Sequence, residues 1–186
     1  MNNSIQQYDI IIVGGGLIVM YMAVDLSDEP FSVMLLELNK VAPVNANMLD
    51  LRTTGLTRSS EKVFSYLGLW EKLSEQATPI ERMDISEQGN FGAARIDSHE
   101  HDLNPIGYMV PNKVFMTLLS QQLQQQANLT VLAPASLQTL ESDDDGHTIE
   151  INHDGQKEHY RARFIIGSDG GNSKVRSLLG IGSEHK

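Results

Sequence analysis

The chain has 186 residues, room for one ordinary domain or for one domain and a fragment of a second. Lys and Arg number 14 against 24 Asp and Glu, a formal net charge of -10 that repels phosphate backbones and argues against a nucleic-acid partner. Cysteine is absent, which excludes disulfide scaffolds, thiol nucleophiles and cysteine-ligated metal centres.

A hydrophobic share of 40% and a charged share of 20% suit a globular chain with a sizeable core. No apolar run approaches the roughly 20 residues of a membrane span. The opening MNNSIQQYD lacks the basic and apolar stretches of a signal peptide, so a cytoplasmic, soluble chain is expected.

Tyr8-Asp-Ile-Ile-Ile-Val13 is a short β-branched run bounded by glycine and predicts a buried strand. Gly14-Gly15-Gly16 follows, then a helix from about Leu17 to Leu26, with Pro30 at its exit. Phe31 to Glu37 predicts a second buried strand. Strand, glycine turn, helix, strand is a βαβ unit with a right-handed crossover.

Asn39 to about Thr57 reads as irregular, with turn-forming Pro43, Asn45 and Asn47. Ser59 to Leu67 has helical spacing, with Ser59 or Ser60 as its cap and Gly68 as its end. Residues 80–97 read as extended strands around Gly89 and Gly92. Pro111 to about Ala127 predicts a long helix with Val114, Phe115, Leu118, Leu119 and Leu123 on one face and a solvated glutamine run on the other.

Leu129 to Phe164 reads as a β-meander, with Asp145-Gly146 and Asp154-Gly155 as hairpin turns. The acidic run Asp143 to Asp145 reads as a solvated turn, with metal binding as the weaker alternative. A last apolar strand, Phe164 to Gly167, leads through Ser168-Asp-Gly-Gly-Asn-Ser173 into a short helix, Lys174 to Leu179. The histidines, His99, His101, His147, His153, His159 and His185, show no ligand spacing and are expected in polar loops or on strand surfaces.

Gly14-x-Gly16-x-x-Val19 is a dinucleotide fingerprint with its last glycine replaced. The first glycine makes the tight turn. The second lets main chain approach a pyrophosphate, which the amides and dipole of the following helix stabilise. The third normally allows the helix to pack closely on the strand, and here that place is held by Val19. Glu37 lies about 20 residues beyond Gly16, where an acid accepts hydrogen bonds from an unphosphorylated ribose, as in FAD or NAD. The competing reading is a βα turn that binds nothing.

Several passages together resemble the FAD-dependent aromatic hydroxylases of the p-hydroxybenzoate hydroxylase type, and within them the ubiquinone-biosynthesis branch of 2-polyprenyl-6-methoxyphenol hydroxylases. They are Val13-Gly-Gly-Gly16 with Glu37, and Asp50-x-Arg52-x-x-x-Leu56-x-x-x-Ser60 running on to Leu67-Gly-Leu-Trp70. Next come Ser86-x-x-Gly89-x-Phe91-Gly92-x-x-Arg95 and Gly107-Tyr-x-Val110-Pro-Asn112. The most specific is Gly167-Ser-Asp169-Gly170-x-x-Ser173-x-x-Arg176, similar to that family's second flavin motif.

The resemblance implies an α/β, Rossmann-like FAD-binding βαβ fold with an inserted β-meander. Residues 1–186 would be the N-terminal part of the FAD-binding domain, with about 75–110 starting the substrate-domain sheet. It further implies FAD as cofactor, NADPH as electron donor, O2 and a hydrophobic phenolic quinone precursor as reactants, and a site at the periphery of the inner membrane. Gly14, Gly15 and Gly16 would face the pyrophosphate, Glu37 the adenosine ribose, and Arg52 the flavin and its phosphates. Asn112 stands where many members carry an arginine; cofactor contact and a helix cap are both open to it. Asp169 and Gly170 would lie by the pyrophosphate and ribityl chain, with Ser173 and Arg176 shaping their turn. Arg52 as a surface ion pair and Asp169-Gly170 as an ordinary turn are the competing readings. Trp70 and Tyr108 are expected to pack rather than touch substrate.

Members of that family extend over roughly twice this length, with a third flavin motif that has no counterpart after Arg176. A truncated chain, at most a weak FAD binder without hydroxylase activity and prone to self-association, is therefore expected. Another flavin oxidoreductase of the same fold and an inactive interaction module of a ubiquinone-synthesis complex are the alternatives.

Overall fold

A computed structural model describes residues 5–27, 29–39, 51–89, 91–100 and 105–184. Pro43, Asn45, Asn47, Asp50, His101 and His185 lie outside the described residues. In chain order the elements are β1 (Gln6–Val13), α1 (Leu17–Ser27), β2 (Val33–Leu36), β3 (Thr53–Thr57), α2 (Arg58–Tyr66) and α3 (Trp70–Ser74). Then come β4 (Thr78–Ile80), β5 (Arg82–Ser86), β6 (Ala93–Asp97), a single 3-10 turn (Ser98–Glu100), β7 (Gly107–Pro111) and α4 (Asn112–Gln125). The last are β8 (Leu129–Leu132), β9 (Ala135–Asp143), β10 (Gly146–His153), β11 (Gln156–Gly167) and α5 (Lys174–Leu178). The chain divides into two units, Met1–Pro43 with Leu119–Lys186, and Val44–Leu118.

The first unit is built on a six-stranded sheet in the order β8-β2-β1-β11-β10-β9. β8, β2, β1 and β11 run parallel; β11, β10 and β9 run antiparallel. The central strands are apolar without alternation because both faces are covered. Ile11, Ile12, Met34 and Leu35 are almost wholly buried, each contributing about 1.5–3 kcal/mol relative to exposure. α1 contacts β2 and β8 and buries Val19, Met20, Ala23 and Val24, a stripe at helical spacing.

Three local differences from the sequence reading have visible causes. β2 starts at Val33 rather than Phe31, because Ser32 is taken up by Asp9: its amide and hydroxyl donate to the Asp9 carboxylate at 2.9 and 2.8 Å. Those Ser32 contacts, the amide first, hold the Asp9 carboxyl below its ordinary value. Leu129–Leu132 is no part of the meander; it pairs in parallel with β2, Val33 opposite Leu129 and Leu36 opposite Leu132. Phe164–Gly167 is not a separate strand but the end of β11. That strand pairs with β10 over Gln156–Ala162 and with β1 over Tyr160–Gly167, which fuses the meander to the parallel sheet.

Both expected hairpins form. Asp154 and Gly155 have φ of 51° and 83°, the doubly positive pair that a two-residue hairpin turn demands. The other turn falls one residue early, on Asp144 and Asp145, with Gly146 opening β10 opposite Asp143. Asp143 is clamped by Arg161 at 2.6 and 2.9 Å, and that contact lowers its pKa.

The second unit holds a three-stranded sheet, β3-β7-β4, and the β5–β6 pair. Thr53–Thr57 reads as irregular in sequence yet forms β3, because β7 supplies an antiparallel partner from Gly107 to Pro111. Thr57, not Ser59 or Ser60, caps α2, its hydroxyl accepting from the Ser60 amide at 3.2 Å. Gly68 ends that helix at φ 67°, with Gly68 N donating to Ser65 O and Leu69 N to Phe64 O, a paired closure that satisfies the last carbonyls. Trp70 and Tyr108 meet edge to face at 4.7 Å, the packing role expected of them. Among the described residues no helix is long and apolar enough to cross a membrane.

Candidate functional site

The carboxyl ends of β1, β2 and β11 open onto a cleft of about 510 Å3 in the first unit. In parallel sheets this edge is where ligands bind. Main-chain bonds fix its floor. Gly14 N donates to Leu36 O at 2.8 Å, and Ser168 N donates to Val13 O at 2.8 Å. Glu37 is tied on both sides, its N donating to Leu132 O and its O accepting from Ala135 N.

The three glycines differ in what they do. Gly14 has φ 109°, and a Cβ there would stand 2.3 Å from Ser168 O. It is the point where the glycine turn presses on the turn after β11. Gly15 donates its N–H to Glu37 Oε2 at 2.5 Å, and a Cβ there would meet that carboxylate. Gly16 faces open space, with no atom within 4 Å of an added Cβ. Its carbonyl accepts from Val19 N and Met20 N at 3.0 Å, so α1 begins there. A helix N-terminus offers unpaired amides and the positive end of a dipole to an anion, and Gly16, directly ahead of α1, is exposed.

Glu37 holds the next position along the cleft. Its second oxygen accepts from Asn39 N at 2.8 Å and Asn39 Nδ2 at 2.9 Å. Asn39 thus fixes the carboxylate that the sequence nominates for ribose. Asn39 lies two residues beyond that acid, an offset at which an amide side chain reaches back, but the fingerprint does not include it.

Asp169 lines the same cleft from the other side. Its carboxylate accepts from Ser173 Oγ and Lys174 N at 2.5 Å and from Val175 N at 3.1 Å. Burial pushes its pKa up, but the Ser173 hydroxyl and the Val175 and Lys174 amides outweigh that and leave it below the ordinary value. Ser173 Oγ in turn accepts from Arg176 N, and Arg176 Nη2 donates to Gly171 O at 2.9 Å. The Ser-x-x-Arg passage therefore shapes the turn, as expected, and Asp169 spends its charge on α5. Gly170 turns at φ 83°.

Arg52 and Asn112 belong to the second unit and are joined to each other, Asn112 N donating to Arg52 O at 3.0 Å. The Asn112 amide oxygen accepts from Thr54 Oγ1 at 2.7 Å, so it ties α4 to β3 rather than capping the helix. Beyond the nominated residues, the cleft is lined by Ser136, Gln138, Asn172 and Lys174. Ser136 and Gln138 come from the start of β9, Asn172 from the turn before α5 and Lys174 from its first residue, and no motif marks any of them.

A family model described as an FAD binding domain matches residues 7–186, nearly the whole chain. The chain belongs to this FAD binding domain family. Val19, in the place of the third fingerprint glycine, is buried and leaves the domain's glycine turn and helix intact. The domain is 32% identical over 179 residues to 3-demethoxyubiquinol 3-hydroxylase of Escherichia coli (strain K12), covering 95% of this chain and 45% of that protein. It is 30% identical over 174 residues to ubiquinone hydroxylase UbiL of Rhodospirillum rubrum, covering 94% of this chain and 40% of that one. The chain thus spans less than half the length of these relatives.

Among solved structures, the flavin-dependent monooxygenase PieE, in complex with FAD and substrate, matches with a TM-score of 0.74 at 22% identity, covering 94% of this chain and 32% of that chain. OxyS anhydrotetracycline hydroxylase from Streptomyces rimosus matches with a TM-score of 0.77 at 21% identity, covering 94% and 34%. These likenesses bear out the α/β fold with its parallel strands.

Proposed function

We propose that this chain is the dinucleotide-holding portion of a flavin-dependent monooxygenase that hydroxylates a hydrophobic phenolic quinone precursor of ubiquinone synthesis. The observation that carries the reading is the open space at Gly16, at the start of α1 and beside a pinned Glu37 carboxylate. A diphosphate suits the first and a ribose the second. Gly14, Gly15, Gly16 and Glu37 would hold FAD in the first unit, with Asp169 and Gly170 forming the wall by α5. By the resemblance, Arg52 and Asn112 are also assigned to the cofactor, and β5 and β6 to the start of the substrate-domain sheet.

When bound, FAD supplies the redox chemistry, with NADPH as donor and O2 as oxidant. The residues of this chain bind and orient it. Support for the substrate class comes from the two ubiquinone-pathway hydroxylases that share about a third of its residues.

Two measurements test the reading. Calorimetric titration of the purified chain with FAD should give heat of binding, and FAD should raise the chain's melting temperature; no heat and no shift would remove the cofactor assignment. A protein of the relatives' length should consume NADPH in step with hydroxylation of a polyprenyl phenol. Product formation with a water-soluble benzoate but none with the polyprenyl phenol would remove the substrate assignment and leave the cofactor.

A further inference from the structure

Three ionisable side chains line the cleft among the described residues: Glu37, Asp169 and Lys174. Two are acidic, in a chain of formal net charge -10, yet the proposed ligand brings a diphosphate. Each carboxylate is already matched by donors of its own. Glu37 takes Gly15 N and both nitrogens of Asn39; Asp169 takes Ser173 Oγ, Lys174 N and Val175 N. The Lys174 side chain is then the cationic group that borders the cleft.

Its position is set by the main chain. The Lys174 amide is bound to Asp169, which fixes its Cα at the first residue of α5, while the side chain remains exposed. The neighbouring arginines are directed elsewhere: Arg176 to Gly171 O, Arg161 to Asp143, Arg163 towards Asp9. The first turn of α1 offers only about half an elementary charge to an anion. A lysine is a compact point charge well suited to phosphate oxygens.

We infer that Lys174 is a binding residue for the diphosphate of the dinucleotide, reaching it from the α5 side of the cleft while the glycine turn holds it from the other. The inference rests on the cofactor reading above and extends it to a residue outside the fingerprint.

The test is calorimetric titration of the purified chain with ADP and with adenosine, at low and at moderate salt, for wild type, Lys174→Gln, Lys174→Arg and Lys157→Gln. Lys157 pairs with Glu150 away from the cleft. Lys174→Gln should weaken ADP by roughly tenfold at low salt. It should leave adenosine unchanged and flatten the salt dependence of ADP binding. Lys174→Arg should stay near wild type, and Lys157→Gln should match it. Unchanged ADP affinity in Lys174→Gln, or an equal loss of adenosine, overturns the assignment while the cofactor reading stands. A wild-type chain that binds neither ADP nor FAD overturns both. Thermal unfolding of Lys174→Gln without ligand should coincide with wild type, since its side chain is exposed; a large drop would make the residue structural and sink the inference.

Discussion

The three consecutive glycines can be separated by single alanines, because the structure gives each a different obstacle. At Gly14 an added Cβ would lie 2.3 Å from Ser168 O, 2.6 Å from Ser168 C and 2.9 Å from Asp169 N, at φ 109°. All three obstacles are main chain and cannot swing aside. Backbone strain of about 1–3 kcal/mol, with loss of the Ser168–Val13 hydrogen bond worth about 1 kcal/mol, gives roughly 2–4 kcal/mol for Gly14→Ala. For a domain of this size that is a fall of about 5–15 °C in melting temperature. At Gly15 the obstacle is the Glu37 side chain, its Oε2 at 2.6 Å, Cγ at 2.9 Å and Cβ at 3.0 Å, of which the outer atoms can swing aside and the Cβ must shift slightly. Gly15→Ala should cost only about 1 kcal/mol, the Gly15–Glu37 hydrogen bond, while displacing the acid proposed for ribose. At Gly16 nothing lies within 4 Å, so Gly16→Ala should stay within about 0.5 kcal/mol of wild type. Its methyl would occupy the approach of the pyrophosphate and weaken ADP or FAD by roughly tenfold or more. Urea or thermal unfolding without ligand, since ligand itself shifts the midpoint, and titration calorimetry read the two quantities separately. A Gly14→Ala chain as stable as wild type, or a Gly16→Ala chain that loses stability while keeping its affinity, would refute the division.

Restoring the fingerprint with Val19→Gly should destabilise the chain by about 2–3 kcal/mol in urea unfolding, since it removes a buried side chain and places glycine inside a helix. Asp169→Asn should cost about 1–2 kcal/mol at neutral pH through weakened bonds to Ser173, Lys174 and Val175. Because the native pKa of Asp169 is depressed, its contribution is complete above about 3.9, the ordinary carboxylate value, and is lost as pH falls below it towards the native one. Unfolding midpoints of wild type and Asp169→Asn should therefore converge in acid and run parallel at neutral pH. Amides of β5 and β6 should exchange with solvent well before those of β1 and β2, because a two-stranded ribbon whose β5 is exposed throughout gains little from packing. Hydrogen exchange read by mass spectrometry checks this.

What the sequence discloses is what main chain and short range decide. Tyr8 to Val13, the glycines and Glu37 announce a strand, a turn and an acid, and all three meet at one cleft, because a βαβ crossover has only one hand. Long-range pairing is silent in the chain. Nothing within Thr53–Thr57 marks it as a strand until Gly107–Pro111 lies beside it, and Leu129–Leu132 joins the parallel sheet only through β2. Side-chain partners are quieter still. Asn112 can be assigned as cap or cofactor contact from its residue type, and Thr54, far away in sequence, takes its oxygen.

Val19 carries the sharper lesson. The fingerprint asks for glycine there so that helix and strand can approach, but close approach is a property of the whole stripe. Ala23, one turn later and fully buried, offers a small face between Val19 and Val24. Val19 and Ala23, one turn apart, are both buried on that stripe, so α1 packs against the sheet with a valine in the glycine's place. The position no neighbour can replace is the one where main chain meets main chain, as at Gly14; Gly16, with open space around it, is free of that constraint.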